Sequence, residues 1–140
     1  MLAFPRKIKH RKWQTSRSNA KKPRVESRGI TVAFGAFGLK AVGIARIRSN
    51  QMEAARKTLT RTIGKTGKVW IRIFTDRPVT QKAAEVGMGK GKGDPVAYCF
   101  EVLPGRVLFE VDGAEDSVAR EALRKAGAKL PVKTKIVSRI

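Results

Sequence analysis

The spacing of hydrophobic residues along the chain predicts a first helix within residues 49–64. Apolar side chains recur there every three or four positions, as in a helix with one buried face, and this stripe consists of Met52, Ala55, Leu59 and Ile63. Asn50 and Glu53 have the spacing of an N-terminal capping box. Gly64 favours a stop at the C-terminal end of the helix.

A second helix is predicted from near Asp112 to Gly127. Glu115 follows Asp112 by three positions, which is typical of a helix N-terminus. The residues expected to face the core are Val118, Ala119, Ala122, Leu123 and Ala126. A last strand is expected within residues 131–138.

The remaining hydrophobic stretches have the composition or the alternation of β-strands. Residues 30–49 indicate two short strands with bends. Residues 67–78 alternate between two faces, and we predict that this strand ends at Pro78. Two more strands are expected within residues 96–111, on either side of a Pro-Gly pair that favours a type II turn.

Strands grouped with two separate helices indicate an α+β fold. At 140 residues the chain has the length of one domain with a tail. Residues 1–28 have no sustained period and are broken by prolines, so they predict a tail that is disordered on its own. Residues 29–140 are predicted to form the single domain, which carries a glycine- and lysine-rich loop at 79–95.

The charge of the chain indicates a polyanionic partner. Thirty-one Lys and Arg against eleven Asp and Glu give a net charge of +20. By segment the net charge is +9 for residues 1–28, +10 for 29–93 and +1 for 94–140. Such a surplus repels itself unless a polyanion compensates it, and nucleic acid is the commonest such partner. The alternatives are a merely solvated basic surface and binding to an acidic membrane.

The predicted tail interleaves cations with groups that can stack on exposed bases. Its candidate RNA-binding residues are Arg6, Lys7, Lys9, Arg11, Lys12, Trp13 and Arg17. His10, the only histidine, is expected to stack or to form hydrogen bonds. The Ser- and Arg-rich opening also has the composition of an organellar transit peptide, a pattern that often arises by chance.

Further candidate RNA-binding cations lie on the predicted helix and strand. The polar face of the first helix carries Arg56, Lys57 and Arg61. This face is suited to phosphate, although simple solvation fits it nearly as well. Arg72 shares a face of the strand at 67–78 with Trp70 and Phe74, and packing against protein is the favoured use of these aromatic residues over stacking on a base.

The stretch MGKGKG at 88–93 combines glycine with lysine. Glycine lets the backbone approach a ligand closely, and lysine adds a mobile cation that suits phosphate oxygens. The loop matches neither the P-loop nor the dinucleotide-binding fingerprint. Its candidate residues for contact with RNA are Lys82, Met88, Gly89, Lys90, Gly91, Lys92 and Gly93.

The sequence offers no recognisable catalytic or metal site. Cys99 is the only cysteine, which excludes an intrachain disulfide and a multi-cysteine zinc site, and it is expected in the core. His10 lacks partners for a catalytic triad. No apolar run approaches the roughly 18 residues of a membrane span. We therefore predict no enzymatic activity, cofactor, small-molecule substrate or membrane contact, and a cytoplasmic location.

Several stretches resemble the family of the bacterial large-subunit ribosomal protein L-sixteen. They are Pro5-Arg6-Lys7-x-Lys9-x-Arg11-Lys12, FGAFGL at 34–39, QMEAAR at 51–56, GKVWIRIF at 67–74, PVTQK at 78–82, MGKGKG at 88–93 and VAREALRKAGAKLPVKTK at 118–135. The resemblance covers nearly the whole chain. GKVWIRIF followed shortly by MGKGKG is its most specific part.

The resemblance implies a structural protein of the large ribosomal subunit that binds 23S rRNA near the peptidyl transferase centre. It implies contact with tRNA in the A site and, as a further expectation, in the P site, together with a role in late assembly beside neighbouring ribosomal proteins. The implied fold is a compact, barrel-like α+β domain of the hammerhead type, with the tail and the MGKGKG loop entering RNA.

Two stretches depart from the pattern of this family. Gly87 stands where many members carry an arginine, which some of them hydroxylate, so that modification is not expected here. Residues 12–27 fit the family only loosely. The alternative interpretation of the chain is a free-standing RNA-binding regulator or RNA chaperone.

Overall fold

The computed structural model describes residues 5–13, 24–82, 87, 89 and 91–139. These residues form an α+β fold, which confirms the predicted class. In chain order the elements are β1 (Phe37–Ala41), β2 (Ala45–Arg48), α1 (Ser49–Ile63), β3 (Lys68–Ile71), β4 (Arg77–Gln81), β5 (Asp94–Val102), β6 (Val107–Asp112), α2 (Asp116–Gly127) and β7 (Thr134–Ser138).

The strands form two antiparallel sheets that share one core. The first sheet has the order β3-β6-β1-β7 and the second has the order β2-β5-β4. Helices α1 and α2 pack on each other, and both also contact strands of the first sheet. The chain passes from one sheet to the other between β1 and β2, between β2 and β3 by way of α1, between β3 and β4, and between β5 and β6. These crossings join both sheets to the same core.

The core is built from the hydrophobic stripes of the helices and the inner faces of the strands. Its largest fully buried apolar side chains are Phe109, Leu39, Ile47, Met52, Leu59, Leu108 and Leu123. All four residues of the stripe predicted for α1 are buried. Of the five residues predicted for α2, only Val118 is half-buried rather than buried. The helical periodicity therefore gave both buried faces.

The first helix lies within its predicted range, but its predicted cap is wrong, and the second helix begins a few residues later than predicted. Helix α1 begins at Ser49, and the side-chain oxygen of Gln51 accepts a hydrogen bond from the Arg48 N–H at 2.9 Å. The capping box predicted from Asn50 and Glu53 is therefore not the one that forms. Helix α2 begins at Asp116 because the chain as far as residue 112 is paired in β6.

The strand predicted over residues 67–78 is also wrong, because it divides into β3 and β4, in different sheets. Pro78 does not end a strand but lies inside β4, opposite Tyr98. The reason is that β4 is an edge strand, where the missing N–H of proline is tolerated. The Pro-Gly turn at 104–105 closes with a hydrogen bond from Arg106 N–H to the Leu103 carbonyl at 3.3 Å.

Cys99 is fully buried in β5, as predicted, and burial raises the pKa of its thiol. The reactive thiolate is therefore scarce in the native protein. We expect a thiol reagent such as dithionitrobenzoate to modify Cys99 only when the protein unfolds in guanidinium, as followed by absorbance. Rapid modification of the native protein would contradict the packing of β5 described above.

Candidate nucleic-acid interface

The N-terminal segment at residues 5–13, which we call the arm, carries five exposed cations: Arg6, Lys7, Lys9, Arg11 and Lys12. The side chain of Trp13 at the end of the arm is 42% exposed. The Arg77 guanidinium carbon, on β4, lies 5.8 Å from the centre of the Trp13 ring system. This contact places the end of the arm against the second sheet. Arg17, also predicted to bind RNA, lies outside the described residues.

The loop predicted at residues 79–95 is shorter in the structure, because residues 79–81 belong to β4 and residues 94–95 belong to β5. We call the connection between these strands, residues 82–93, the Gly/Lys loop. Gly89 and Gly91 have φ angles of 97° and 104°, a backbone conformation that side chains other than that of glycine rarely adopt. The Lys82 ammonium donates a hydrogen bond to the Gly89 carbonyl. Met88 and Lys90 lie outside the described residues.

The arm and the Gly/Lys loop are joined by two reciprocal hydrogen bonds. The Lys12 ammonium donates to the Lys92 carbonyl at 3.2 Å, and the Lys92 ammonium donates to the Trp13 carbonyl. The residues of these pairs are 80 and 79 positions apart in sequence. The two segments that the sequence analysis marked separately therefore form one exposed basic surface.

The predicted basic face of α1 differs from the arm in its ion pairing. Arg56 pairs with the carboxylate of Glu53, one turn earlier. The hydrogen bond from Arg56 holds the pKa of Glu53 below its ordinary value, so this carboxylate offsets the charge of Arg56 at neutral pH. Lys57 and Arg61 are exposed on the same helix. These two residues remain the more accessible candidates for phosphate contact on α1.

Arg72 contacts a carboxylate that the sequence analysis did not single out. Its guanidinium pairs with Glu110, which is fully buried in β6. The other oxygen of Glu110 accepts hydrogen bonds from the backbone N–H groups of Ala33, Phe34 and Gly35 at 2.9, 2.7 and 3.0 Å. Glu110 is the only charged residue in the run VLFEV at 107–111. A single carboxylate within an otherwise apolar strand is the one feature of the sequence that could have indicated a buried ion pair.

The hydrogen bonds around Glu110 decide its protonation state. Burial, the largest influence, raises the pKa of this carboxyl, but the N–H groups of Gly35 and Phe34 and the guanidinium of Arg72 together outweigh it. The pKa of Glu110 therefore lies below its ordinary value, and the side chain is ionised at neutral pH.

Arg72 also belongs to a surface that it forms with Phe34 and Trp70. We call this surface the aromatic platform. The Phe34 ring stacks on Trp70, with 6.2 Å between ring centres and 19° between planes. The Arg72 guanidinium carbon lies 5.1 Å from the centre of the Phe34 ring. Trp70 thus packs against protein, which the sequence analysis favoured. Packing against protein was also the favoured use of Phe74, but the structure leaves this residue 46% exposed.

Other kinds of site find little support in the described part of the chain. Among residues 5–13, 24–82, 87, 89 and 91–139, no three His, Cys, Asp or Glu side chains gather closely enough to hold a metal ion. Over the same residues, neither helix has the length and apolar character of a membrane span.

An α+β domain with an exposed basic surface on an arm and an adjoining loop has the charge pattern of a nucleic-acid-binding protein. The sequence model of the family "Ribosomal protein L16p/L10e" matches residues 5–137. Large ribosomal subunit protein uL16 of Afipia carboxidovorans is 52% identical over 136 residues, which cover 97% of this chain and 96% of that protein. The chain therefore belongs to the L16p/L10e family of ribosomal proteins.

Membership of this family places the chain in the large ribosomal subunit, in the cytoplasm. Ribosomal RNA and neighbouring ribosomal proteins are its partners. The resemblance found in the sequence, from the basic arm to the VAREALRKAGAKLPVKTK stretch, is thereby confirmed.

Proposed function

We propose that the protein binds 23S rRNA near the peptidyl transferase centre, contacts tRNA in the A site and also in the P site, and supports late assembly of the large subunit. No catalytic role is assigned to any of its residues. The observation that carries this proposal is the joining of the arm to the Gly/Lys loop by Lys12 and Lys92. This contact brings the five exposed cations of the arm together with Lys92, on two segments that lie outside the helices and strands.

The Gly/Lys loop has a backbone suited to crowded phosphates. No described atom lies within 4 Å of a Cβ built on Gly89 or Gly91, so the positive φ angles and not lack of space call for glycine there. The absent side chains let the backbone approach RNA closely. We propose that Lys92 and Lys90 then neutralise the phosphates on either side.

The hydrogen bonds between the arm and the Gly/Lys loop are compatible with RNA binding. A lysine ammonium has three N–H donors. Lys12 and Lys92 each direct one of them to a backbone carbonyl, which leaves others for phosphate oxygens. The contact between the segments therefore pre-positions these cations and lowers the ordering cost when RNA binds.

Removing the charges of the Gly/Lys loop should weaken RNA binding in a salt-dependent way. We expect Lys90→Ala with Lys92→Ala to lower the slope of log affinity against log salt by roughly 0.7 to 0.9 for each phosphate that the loop no longer neutralises. The measurement is fluorescence anisotropy with a labelled fragment of 23S rRNA at several salt concentrations.

A matched control removes two exposed cations, one in the last turn of α2 and one just after that helix, through Lys125→Ala with Lys129→Ala. The net charge changes equally, but neither residue belongs to the arm or the Gly/Lys loop. We expect this control to retain the parent slope. An unchanged slope in the Gly/Lys loop variant would remove that loop from the interface, and an equal fall in both variants would show a non-specific effect of charge.

A further inference from the structure

We propose that the aromatic platform binds one unpaired RNA base, which stacks on the exposed ring of Phe34. The proposal rests on the proposed function in so far as its ligand is RNA. It names a second contact region, however, built on elements other than the arm and the Gly/Lys loop.

The first support is the exposure of an aromatic ring that is already stacked. Phe34 contacts Trp70 and Arg72, yet 54% of its surface remains open to solvent. A single exposed apolar residue needs no explanation by itself. Phe34 differs because its backbone and its ring are both held in place, which leaves a fixed aromatic surface facing water.

The second support is the way in which the backbone of Phe34 is held. The buried Glu110 carboxylate accepts three consecutive N–H groups, from residues 33 to 35. A Cβ at Gly35 would lie 2.5 Å from the Val111 carbonyl oxygen, so only glycine permits this close approach to β6. A buried carboxylate is costly unless its hydrogen bonds are complete. Here that carboxylate fixes the turn that presents Phe34, and Glu110 is a positioning residue for the platform.

The third support is the charge around the ring. The Arg72 guanidinium lies beside Phe34, and the Arg106 guanidinium donates to the Arg72 carbonyl at 3.1 Å. Lys68 is exposed and lies two positions before Trp70 in β3, so both side chains are on the same face of that strand. Because Glu110 offsets the charge of Arg72, the exposed Lys68 is the cation available to neutralise a phosphate here. An open aromatic face with a cation beside it is the combination that binds single-stranded nucleic acid, since the base stacks while its phosphate is neutralised.

This charge favours RNA over a protein neighbour as the occupant. Residues 29–93, which include the whole platform, carry a net charge of +10. Lysine is depleted in protein–protein interfaces, whereas the exposed Lys68 lies on the same face of β3 as Trp70. An unpaired base is also favoured over a duplex, since stacking requires a base that is free on at least one face.

The test uses the fluorescence of Trp70 in the full chain. Trp13 is the only other tryptophan, so Trp13→Phe gives a background in which emission reports on the platform alone. The probes are a ten-nucleotide oligoadenylate and an RNA duplex of the same length. We expect the single strand to quench Trp70 emission and the duplex to quench it much less.

Two substitutions of Phe34 in that background separate stacking from other effects. We expect Phe34→Leu to weaken oligoadenylate binding roughly five- to 150-fold, the range for loss of one base stack. Phe34→Tyr keeps the ring and should bind like the parent. Because the Phe34 side chain is largely exposed, both variants should fold, as circular dichroism would verify.

Three results would overturn the aromatic platform. The first is unchanged Trp70 emission on saturation with oligoadenylate. The second is equal affinity of the Phe34→Leu and Phe34→Tyr variants for oligoadenylate. The third is a Phe34→Leu variant that binds RNA as the parent does but fails to enter the large subunit. The last result would assign the platform to a protein neighbour. Absence of all RNA binding by the parent chain, measured by anisotropy with the 23S rRNA fragment, would instead contradict the proposed function itself.

Discussion

Replacing Glu110 with alanine should lower the free energy of unfolding by about 3 to 5 kcal/mol, the range for removing one partner of a buried ion pair. Glu110 is fully buried and pairs with Arg72. Its loss leaves that guanidinium without its carboxylate and three backbone N–H groups without their acceptor, and each such group carries a desolvation penalty. Because whole domains are stable by about 5 to 15 kcal/mol, the loss is a large part of the total.

Glu110→Gln separates the hydrogen bonds from the charge. The amide keeps an oxygen that can accept from the N–H groups of residues 33–35 but loses the ion pair with Arg72. We expect a stability between those of the parent and of Glu110→Ala.

The same carboxylate should make the stability depend on pH. The pKa of Glu110 is lowered on folding from an ordinary value of 4.5, so the native state favours the ionised form. Its contribution is therefore fully present above pH 4.5 and is lost as the pH falls through the folded pKa. Glu110→Gln should remove this part of the acid dependence.

Guanidinium unfolding followed by circular dichroism measures these effects at a series of pH values. The control is Glu121→Ala, which removes an exposed carboxylate paired with Arg124 on α2. Exposed pairs contribute little, so its midpoint should stay near that of the parent. A Glu110→Ala protein with the parent midpoint would contradict the role assigned to the buried carboxylate.

Deleting residues 1–17 should leave the domain folded but greatly reduce its binding to RNA. The deletion removes six Lys and Arg residues, which are the five exposed cations of the arm and Arg17, together with Trp13. If each of these six cations contacts one phosphate, the slope of log affinity against log salt falls by about 4.2 to 5.4. Residues that follow the deletion still contact the domain, since Glu26 N–H donates to the Pro104 carbonyl at 3.0 Å.

The deletion is measured by anisotropy across salt concentrations and by sedimentation of assembled subunits through a high-salt sucrose gradient. We expect a smaller slope and poor recovery of the shortened protein with the large subunit. Loss of the circular dichroism signal of the domain would contradict the assignment of the arm as a segment that serves RNA binding rather than folding.

A substitution pair tests whether the position of the arm cations matters. One variant replaces Arg6, Lys7, Lys9, Arg11 and Lys12 with glutamine. Its control replaces five exposed cations near the C-terminus, Lys125, Lys129, Lys133, Lys135 and Arg139. We expect the arm variant to lose most of the salt-dependent binding, whereas the control should lose little. Equal losses would mean that net charge alone governs binding.

Much of the secondary structure could be predicted because its signals are local. The buried stripe of α1, from Met52 to Ile63, follows from the helical period alone. The division of residues 67–78 between two sheets could not be predicted, because strand pairing depends on partners far along the chain. Pro78 was misleading for the same reason, since only the sheet order shows that β4 is an edge.

The same distinction between local signals and distant contacts applies to the candidate site. Composition and spacing identified the cations of the arm and of the Gly/Lys loop. Their contact through Lys12 and Lys92 was not predictable, because these residues are 80 positions apart. The carboxylate of Glu110 reaches N–H groups up to 77 positions away, so the aromatic platform emerged only from the folded chain. The division into a tail at 1–28 and a domain at 29–140 stays a prediction.

The most direct test of the proposed function is a cryo-EM reconstruction of the large subunit that contains this protein, with tRNA bound in the A site. We predict that the arm and the Gly/Lys loop lie together against 23S rRNA, with Lys12 and Lys92 within hydrogen-bond distance of phosphates and the loop facing the tRNA. An arm and a loop that contact only solvent or protein, away from the A site, would contradict the proposal.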